Sequence, residues 1–294
     1  MVDPGPRIQA HRQRWQVLRA GRPRRLQLGS VADPLAASPG RVCVFVVGVT
    51  LIGLWLDRMV DLPTQYLLGA MCWLMLALAL RSATRAERVQ TLVVIAVATC
   101  FEIIGSIIWG AYIYRHHNLP MFVPPGHGMV YLFGLRLSQT AWVRAHTRLW
   151  IRIAAIGLVA WGIIGLAVLP RTDLGGAVGV VVLLAFLLRG RNASVYASVF
   201  AFVAFLEIYG VSMGTWAWQA HIPGTPIPTG NPPSGIAAGY VFFYIAAIAL
   251  TPWILAAWER WRGEPVLAAE TGIVAGRQAE PAAVPATPVA ESSG

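Results

Sequence analysis

Two glutamates, Glu102 and Glu207, each lie near the middle of an apolar segment. The first is in ATCFEIIGSIIWGAYIY, residues 98–114, and the second is in FVAFLEIYGVSMGTWAW, residues 202–218. Of the thirteen acidic residues, these two alone fall deep inside apolar segments. An ionised carboxylate costs about 2.5–3.5 kcal/mol at the centre of a bilayer, so each glutamate is expected to face a protein interior or water. Paired carboxyl groups in such a place are typical of acid–base chemistry or proton transfer.

Small and aromatic residues recur after each glutamate. Gly105 and Gly210 follow the glutamates by three positions, so the helix face beside each carboxyl group has no side chain there. An aromatic pair comes soon after each glycine. Close helix packing and an aromatic belt at the membrane surface are alternative explanations. Besides the catalytic pair, we predict the following substrate-binding residues: Gly105, Trp109, Tyr112, Tyr114, His117, His127, Tyr209, Gly210, Trp216, Trp218, His221 and Asn231.

Four histidines are predicted on the outer side of the membrane: His116, His117, His127 and His221. Histidines near glutamates suggest a metal site, but a spacing such as HExxH is absent. A straight helix would also hold these histidines about 20 Å from the carboxylates. We therefore predict no metal and no cofactor, and we expect the histidines to cap loops or carry protons.

The composition is that of a polytopic membrane protein. Hydrophobic residues make up 56% of the chain and charged residues only 12%, whereas soluble proteins carry about a quarter charged residues. The apolar blocks are about 17–25 residues long, enough to cross a hydrocarbon core about 30 Å thick. Eight spans are predicted, at residues 42–56, 65–80, 91–114, 127–143, 151–169, 174–189, 194–218 and 234–258.

The arginines predict the orientation of these spans. The net charge is +10, and because the arginines adjoin membrane segments, we assign the charge to topology and to anionic lipid headgroups rather than to nucleic acid. Arginine-rich loops at 81–88, 144–152 and 189–191 alternate with arginine-poor loops. Both termini are therefore expected in the cytoplasm of a cell-membrane protein. The proline-rich segments 115–126 and 219–233 then face outside, either as ordered lids over a cavity or as rigid surface turns.

Polar tails are predicted at both ends of the chain, before and after a membrane domain at residues 41–262. Residues 1–40 are basic and lack the apolar core of a cleavable signal, so we predict a disordered cytoplasmic tail. Residues 263–294 are rich in alanine and proline and are also predicted to be disordered. The three cysteines lie in apolar segments without paired spacing, so neither zinc nor a disulfide framework is predicted.

The chain contains an internal repeat. The two glutamates and the glycines after them align at one offset, and with one residue deleted the aromatic pairs also align, as do His117 and His221. The copies cover about 41–148 and 149–262. Each has four spans, so both keep the same orientation, related by an axis along the membrane normal. The predicted fold is an all-α membrane protein of about eight transmembrane helices in two tandem four-helix repeats. Its glutamates would share one cavity and titrate as a pair.

A resemblance to a known family lies in this repeated motif. The run E-x-x-G-x(4)-G-x-Y-x-Y, from Glu102 to Tyr114, is followed by a proline-rich loop. It resembles a motif of integral-membrane carotenoid-biosynthesis proteins, particularly the carotenoid hydratases. The second copy is E-x-x-G-x(3)-G-x-W-x-W, from Glu207 to Trp218. The resemblance implies hydration of a terminal isoprenoid double bond without a soluble cofactor.

The residue types allow such chemistry independently. A carboxyl group held neutral by apolar surroundings can protonate an alkene, aromatic faces can stabilise the cation, and a second carboxylate can orient water. We therefore favour an intramembrane enzyme that acts on an isoprenoid or another membrane lipid. Two alternatives remain: a proton-coupled transporter or lipid flippase, and a non-catalytic membrane subunit whose glutamates only hydrogen-bond helices together.

Overall fold

The structure is a computed structural model in which residues 38–262 are described. The predicted tails, 1–40 and 263–294, lie outside the described residues apart from 38–40. Between residues 38 and 262 there are nine α-helices and two short strands: α1 (Pro39–Asp57), α2 (Leu62–Ala79), α3 (Arg85–Glu102), β1 (Tyr112–Tyr114), α4 (Val123–Ser138), α5 (Ala141–Ala145), α6 (Thr147–Ala167), α7 (Leu174–Arg189), α8 (Ala193–Met213), β2 (Trp216–Trp218) and α9 (Gly239–Arg262).

Six helical segments in the described range are long and apolar enough to cross a membrane. They are Pro39–Asp57, Leu62–Ser82, Arg85–Ile108, Thr147–Ala167, Ala193–Met213 and Ile236–Arg262. The remaining two predicted spans correspond to α4 and α7, which have 16 residues each. That length is below the roughly 20 residues of a typical crossing. The protein is therefore a helical, membrane-embedded protein with six full-length candidate spans.

Short-range signals in the sequence explain where several helices begin. Asp61 precedes α2 and its side chain accepts a hydrogen bond from the backbone N–H of Thr64. Thr84 and Glu87 form a reciprocal capping box at the start of α3. Such caps satisfy backbone donors that have no partner within the helix. The helix starts are thus encoded locally, next to the apolar runs that follow them.

Helix α4 lies at the centre of the described bundle. It packs against α1, α3 and α8, while α3 packs against α9. Residues 128–136 of α4 are all buried. Gly134 allows the close approach to α8, because a side chain there would collide with Val199. A short helix with few lipid-facing residues can therefore occupy this position.

Helices α3 and α4 are also joined by a buried ion pair. The two terminal guanidinium nitrogens of Arg136, Nη1 and Nη2, each donate to one carboxylate oxygen of Glu87 at 2.9 Å. Arg136 also donates to the side chain of Gln139. Each charge is paired and hydrogen-bonded, as burial in a low-dielectric interior requires. The pair accounts for an arginine inside a buried helix.

Two of the predicted spans are too long. Residues 91–114 and 194–218 were each expected to form one span, but the helices end at Ile108 and Met213. The chain then turns at Gly110 and Gly214, which have φ of 70° and 75°. Glycine adopts this left-handed conformation without a steric penalty. The aromatic residues that follow form β1 and β2, which pair with each other in antiparallel register.

The segment 219–233 is held by a buried aspartate. Asp173 caps α7 and is 1% exposed. Its carboxylate accepts hydrogen bonds from the N–H groups of Gly176 and Gly230, and from the N–H and hydroxyl of Ser234, at 2.6–3.0 Å. Arg171 also donates to the carbonyls of Trp218 and Gln219. The segment is therefore an ordered turn region fastened to α7.

Replacing Asp173 by alanine should destabilise the segment 219–233. Three buried N–H groups lose their acceptor, and because one such loss costs about 1–3 kcal/mol, we expect a total loss of about 3 kcal/mol. The measurement is the thermal unfolding midpoint of the purified protein, together with proteolysis within residues 219–233. Asp61→Ala is the matched control, since Asp61 is an exposed cap with one backbone partner. Equal shifts for the two variants would contradict the role of Asp173.

Candidate functional site

A cavity of about 550 Å³ lies inside the helical bundle. Its wall is formed by parts of α1, α2, α3, α4, α8 and α9 and by both strands. Most of the lining is apolar, and both Glu102 and Glu207 are part of it. Its volume is within the range of about 300–1,000 Å³ that is usual for small-molecule sites. The two carboxyl groups thus face one shared, mostly apolar space.

Glu102 is held by three hydrogen bonds. The hydroxyls of Tyr112 and Tyr114 lie 2.6 and 2.7 Å from its Oε2. Nε2 of His127 lies 2.9 Å from its Oε1. Burial, followed by the charge of Glu102, raises the pKa of the two tyrosine hydroxyls, so both remain protonated and donate. A carboxylate has about four acceptor positions, so one on Oε1 is left for another donor.

A tyrosine that the sequence analysis missed completes this group. The hydroxyl of Tyr240, at the start of α9, lies 2.7 Å from Nδ1 of His127. If this hydroxyl donates to Nδ1, Nε2 carries the imidazole proton and donates to Glu102. Tyr240 ends the stretch NPPSGIAAGY, residues 231–240, which has a proline pair like that of VPPGHGMVY, residues 123–131. This loose similarity is the signal in the sequence that points towards Tyr240.

Glu207 has different partners. The indole Nε1 atoms of Trp216 and Trp218 lie 3.0 and 3.1 Å from its Oε2. An indole N–H can only donate, so a proton on Glu207 must sit on Oε1. No hydrogen bond reaches Oε1 from any residue between 38 and 262 in the structure. Glu207 therefore presents a free carboxyl oxygen, whereas Glu102 is surrounded by donors.

The strand pair connects the two glutamates. Tyr112 is opposite Trp218, Ile113 opposite Ala217, and Tyr114 opposite Trp216. The rings of Tyr112 and Trp218 are 4.5 Å apart between centroids. One ring of this contact hydrogen-bonds Glu102 and the other hydrogen-bonds Glu207. A continuous aromatic wall therefore runs from one carboxyl group to the other.

Two expectations about geometry were wrong. The straight-helix argument placed the histidines about 20 Å from the carboxylates, but His127 contacts Glu102 because α4 enters the bundle beside α3. The aromatic-belt alternative also fails for Tyr112, Tyr114 and Trp216, which are at most 9% exposed. The reason is the reversal after each helix, which turns these rings inward. The glutamates consequently lie less than two helical turns from the helix ends.

The predicted substrate-binding residues divide into two groups. Those that line the cavity are Gly105, Trp109, Tyr112, Tyr114, His127, Trp216 and Trp218, beside Glu102 and Glu207. Those that do not line it are His117, Tyr209, Gly210, His221 and Asn231.

The second group has other contacts. His117 is exposed in a turn, and its N–H donates to the Tyr114 carbonyl. Tyr209 donates to the carbonyl of Leu51. Asn231 accepts a hydrogen bond from the backbone N–H of Trp218, which supports the aromatic wall from outside.

His221 and Gly210 complete that group. His221 is exposed and borders a second, smaller groove of about 270 Å³ that shares Trp109 and Trp218 with the cavity. Gly210 lies behind Trp216, and a methyl group there would be 2.0 Å from the indole. Gly105 is less tight, since a methyl group would lie 3.1 Å from Tyr112. Both glycines admit an aromatic ring against the helix.

The donor set does not assemble a metal site. Within the described part of the chain, no group of three or more histidine, cysteine, aspartate or glutamate side chains is placed to hold a metal ion. Neighbouring groups around Glu102 are tyrosine hydroxyls and one imidazole, which supply and accept protons. The arrangement suits proton transfer to and from an apolar molecule in the cavity.

Comparison with protein-family models, with curated proteins and with solved structures finds no match to this chain. The functional argument therefore depends on the geometry of the site.

Gly210→Ala should disturb the wall beside Glu207. The added methyl group would overlap the Trp216 ring, and overpacking of this kind costs about 1–3 kcal/mol. We expect a lower thermal unfolding midpoint and a changed tryptophan fluorescence spectrum. Gly157→Ala is the control, because its nearest neighbour, Phe200, would lie 3.9 Å away. An unchanged spectrum in Gly210→Ala would show that Trp216 is not confined as described.

Proposed function

We propose that this protein is an intramembrane enzyme that adds water to, or shifts, a carbon–carbon double bond of an isoprenoid or similar membrane lipid. The observation that carries the proposal is the shared apolar cavity, in which Glu207 has a free oxygen and Glu102 is surrounded by donors. Two carboxyl groups with different surroundings are the usual arrangement for separate acid and base roles.

Glu207 acts as the acid in this proposal. Its Oε1–H gives its proton to one alkene carbon, which leaves a carbocation on the other carbon and a carboxylate on Glu207. The indole N–H groups of Trp216 and Trp218 stabilise that carboxylate. The aromatic faces of the wall stabilise the cation by cation–π attraction.

Glu102 acts as the base. A water molecule held at Oε1 of Glu102 forms the new carbon–oxygen bond, and its proton passes to Glu102. Transfer of that proton back to Glu207 restores both carboxyl groups, so the net reaction adds one water. If the cation instead loses a proton to Glu102, the double bond moves and no water is added. No cofactor takes part in either outcome.

We also propose that the chain arose by internal duplication, that it has eight membrane helices, and that both termini lie in the cytoplasm. A two-fold axis through the Ile113–Ala217 pair exchanges the strands, and with them the tyrosine pair and the tryptophan pair. The contacts of α3 with α9 and of α4 with α8 exchange in the same way. Asp61 and Asp173 cap the equivalent helices α2 and α7. Helices α4 and α7 then complete the two sets of four.

The pairing of β1 with β2 is an argument against the transporter alternative. Alternating access requires one repeat to move against the other around the site. Here backbone hydrogen bonds join the two repeats beside the glutamates. Loss of these bonds would be needed for each cycle, whereas an enzyme can keep them throughout.

Glu102→Gln and Glu207→Gln should each abolish product formation. A positioned acid or base contributes about 10²–10⁴-fold to a rate, so we expect at least about a hundredfold loss for either variant. The measurement is mass spectrometry of lipids and pigments from cells that express the full chain or a variant. The expected product differs from its precursor by one water or by the position of a double bond.

Glu259→Gln is the matched control, because Glu259 pairs with Arg85 away from the cavity. Its product yield should equal that of the unchanged protein. If no lipid or pigment depends on the protein, the enzyme proposal fails. Proton-coupled lipid movement that is lost in the two glutamine variants would favour the transporter, and full activity in both would favour a non-catalytic subunit.

A further inference from the structure

The cavity extends along two helices that carry no part of the proposed chemistry. On α1 the lining residues are Val49, Thr50, Ile52, Gly53, Leu54 and Leu56, and on α2 they are Leu68, Met71, Cys72 and Met75. Each set contains residues at the spacing i, i+3, i+4, i+7, so each forms one helix face. Apart from Thr50 these two faces are apolar, and they form the arm of the cavity.

The arm reaches the outer surface of the bundle. Ile52 is 61% exposed and Met71 is 56% exposed, yet both line the cavity. They lie in α1 and α2, which are candidate membrane spans. What surrounds these residues is therefore the hydrocarbon of the bilayer rather than water.

The corresponding place in the second half of the chain is closed. Helices α6 and α7 pack directly, with a methyl group at Gly162 only 3.2 Å from Val180. Leu158 and Leu183 are at most 1% exposed. Two consecutive helices of this protein can therefore pack against each other without a gap. The open arm is a specific feature of α1 and α2.

We propose that a long apolar lipid chain enters the cavity sideways from the bilayer, through an opening between α1 and α2 lined by Ile52, Gly53 and Met71. The end of the chain reaches the glutamates while the remainder stays in the membrane. The arm is apolar apart from Thr50 and favours a hydrocarbon chain, whereas Glu102 and His127 line the cavity from α3 and α4. This inference deepens the proposed function and rests on it for the identity of the reacting end.

Gly53 provides a direct test. A side chain at this position would meet no atom within 4 Å, so it would project into the open space of the arm. Gly48 lies on the same helix and also has nothing within 4 Å, but it does not line the cavity. Gly53→Leu should therefore block the opening, and Gly48→Leu is a matched control for the effect of leucine on α1.

The experiment uses the full chain in lipid nanodiscs with hexadecanoic acid that carries a photoreactive diazirine at its terminal carbon. After illumination, peptide mass spectrometry should find cross-links at Met129 of α4, which lines the cavity and is only 2% exposed. In Gly53→Leu their yield should fall about tenfold, the effect of losing the burial of about two methylene groups. The yield should be unchanged in Gly48→Leu, because that position does not line the cavity.

Failure of this inference can be distinguished from failure of the proposed function. Cross-links that persist in Gly53→Leu, or that fall equally in Gly48→Leu, would overturn access through α1 and α2. Product formation by Gly53→Leu at the unchanged rate would do the same while leaving the chemistry intact. Cross-links that behave as expected, in a protein that changes no lipid, would support the opening and reject the enzyme.

Discussion

A carboxyl group inside an apolar bundle needs hydrogen-bond donors, and this requirement organises the whole site. Neither glutamate finds its donors on its own helix. The chain instead turns back after α3 and α8, and the aromatic side chains of β1 and β2 approach the carboxyl groups from outside. Because the two strands also pair with each other, the support of one glutamate is joined to the support of the other. The hydrogen bonds from this one strand pair offset the desolvation cost of both carboxyl groups.

The same arrangement gives the two glutamates different hydrogen-bond partners. Tyrosine hydroxyls both donate and accept, but indole N–H groups only donate. Glu102 also receives His127 from α4, which is oriented by Tyr240 from α9. Glu207 has no comparable partner within the described residues. A nearly symmetric frame thus surrounds an asymmetric pair of acids, which is what separate acid and base roles need.

The asymmetry extends to access. In the second half α6 and α7 meet closely through Gly162 and Val180. Helices α1 and α2 instead leave an apolar arm that continues to the lipid-facing surface of the bundle. In the proposed reaction, a lipid chain meets the two carboxyl groups inside the bundle, away from bulk water.

The sequence by itself determined the membrane class and the approximate positions of the helices, and it selected Glu102 and Glu207, which the structure places in one cavity. Hydrophobic blocks and isolated carboxyl groups are local features, and their cost in a bilayer depends little on distant residues. It could not show that β1 and β2 turn inward, since a left-handed glycine and a continuing helix have similar local composition. It also missed Tyr240 and the opening between α1 and α2. Those features depend on which helices become neighbours, and only the tertiary packing decides that.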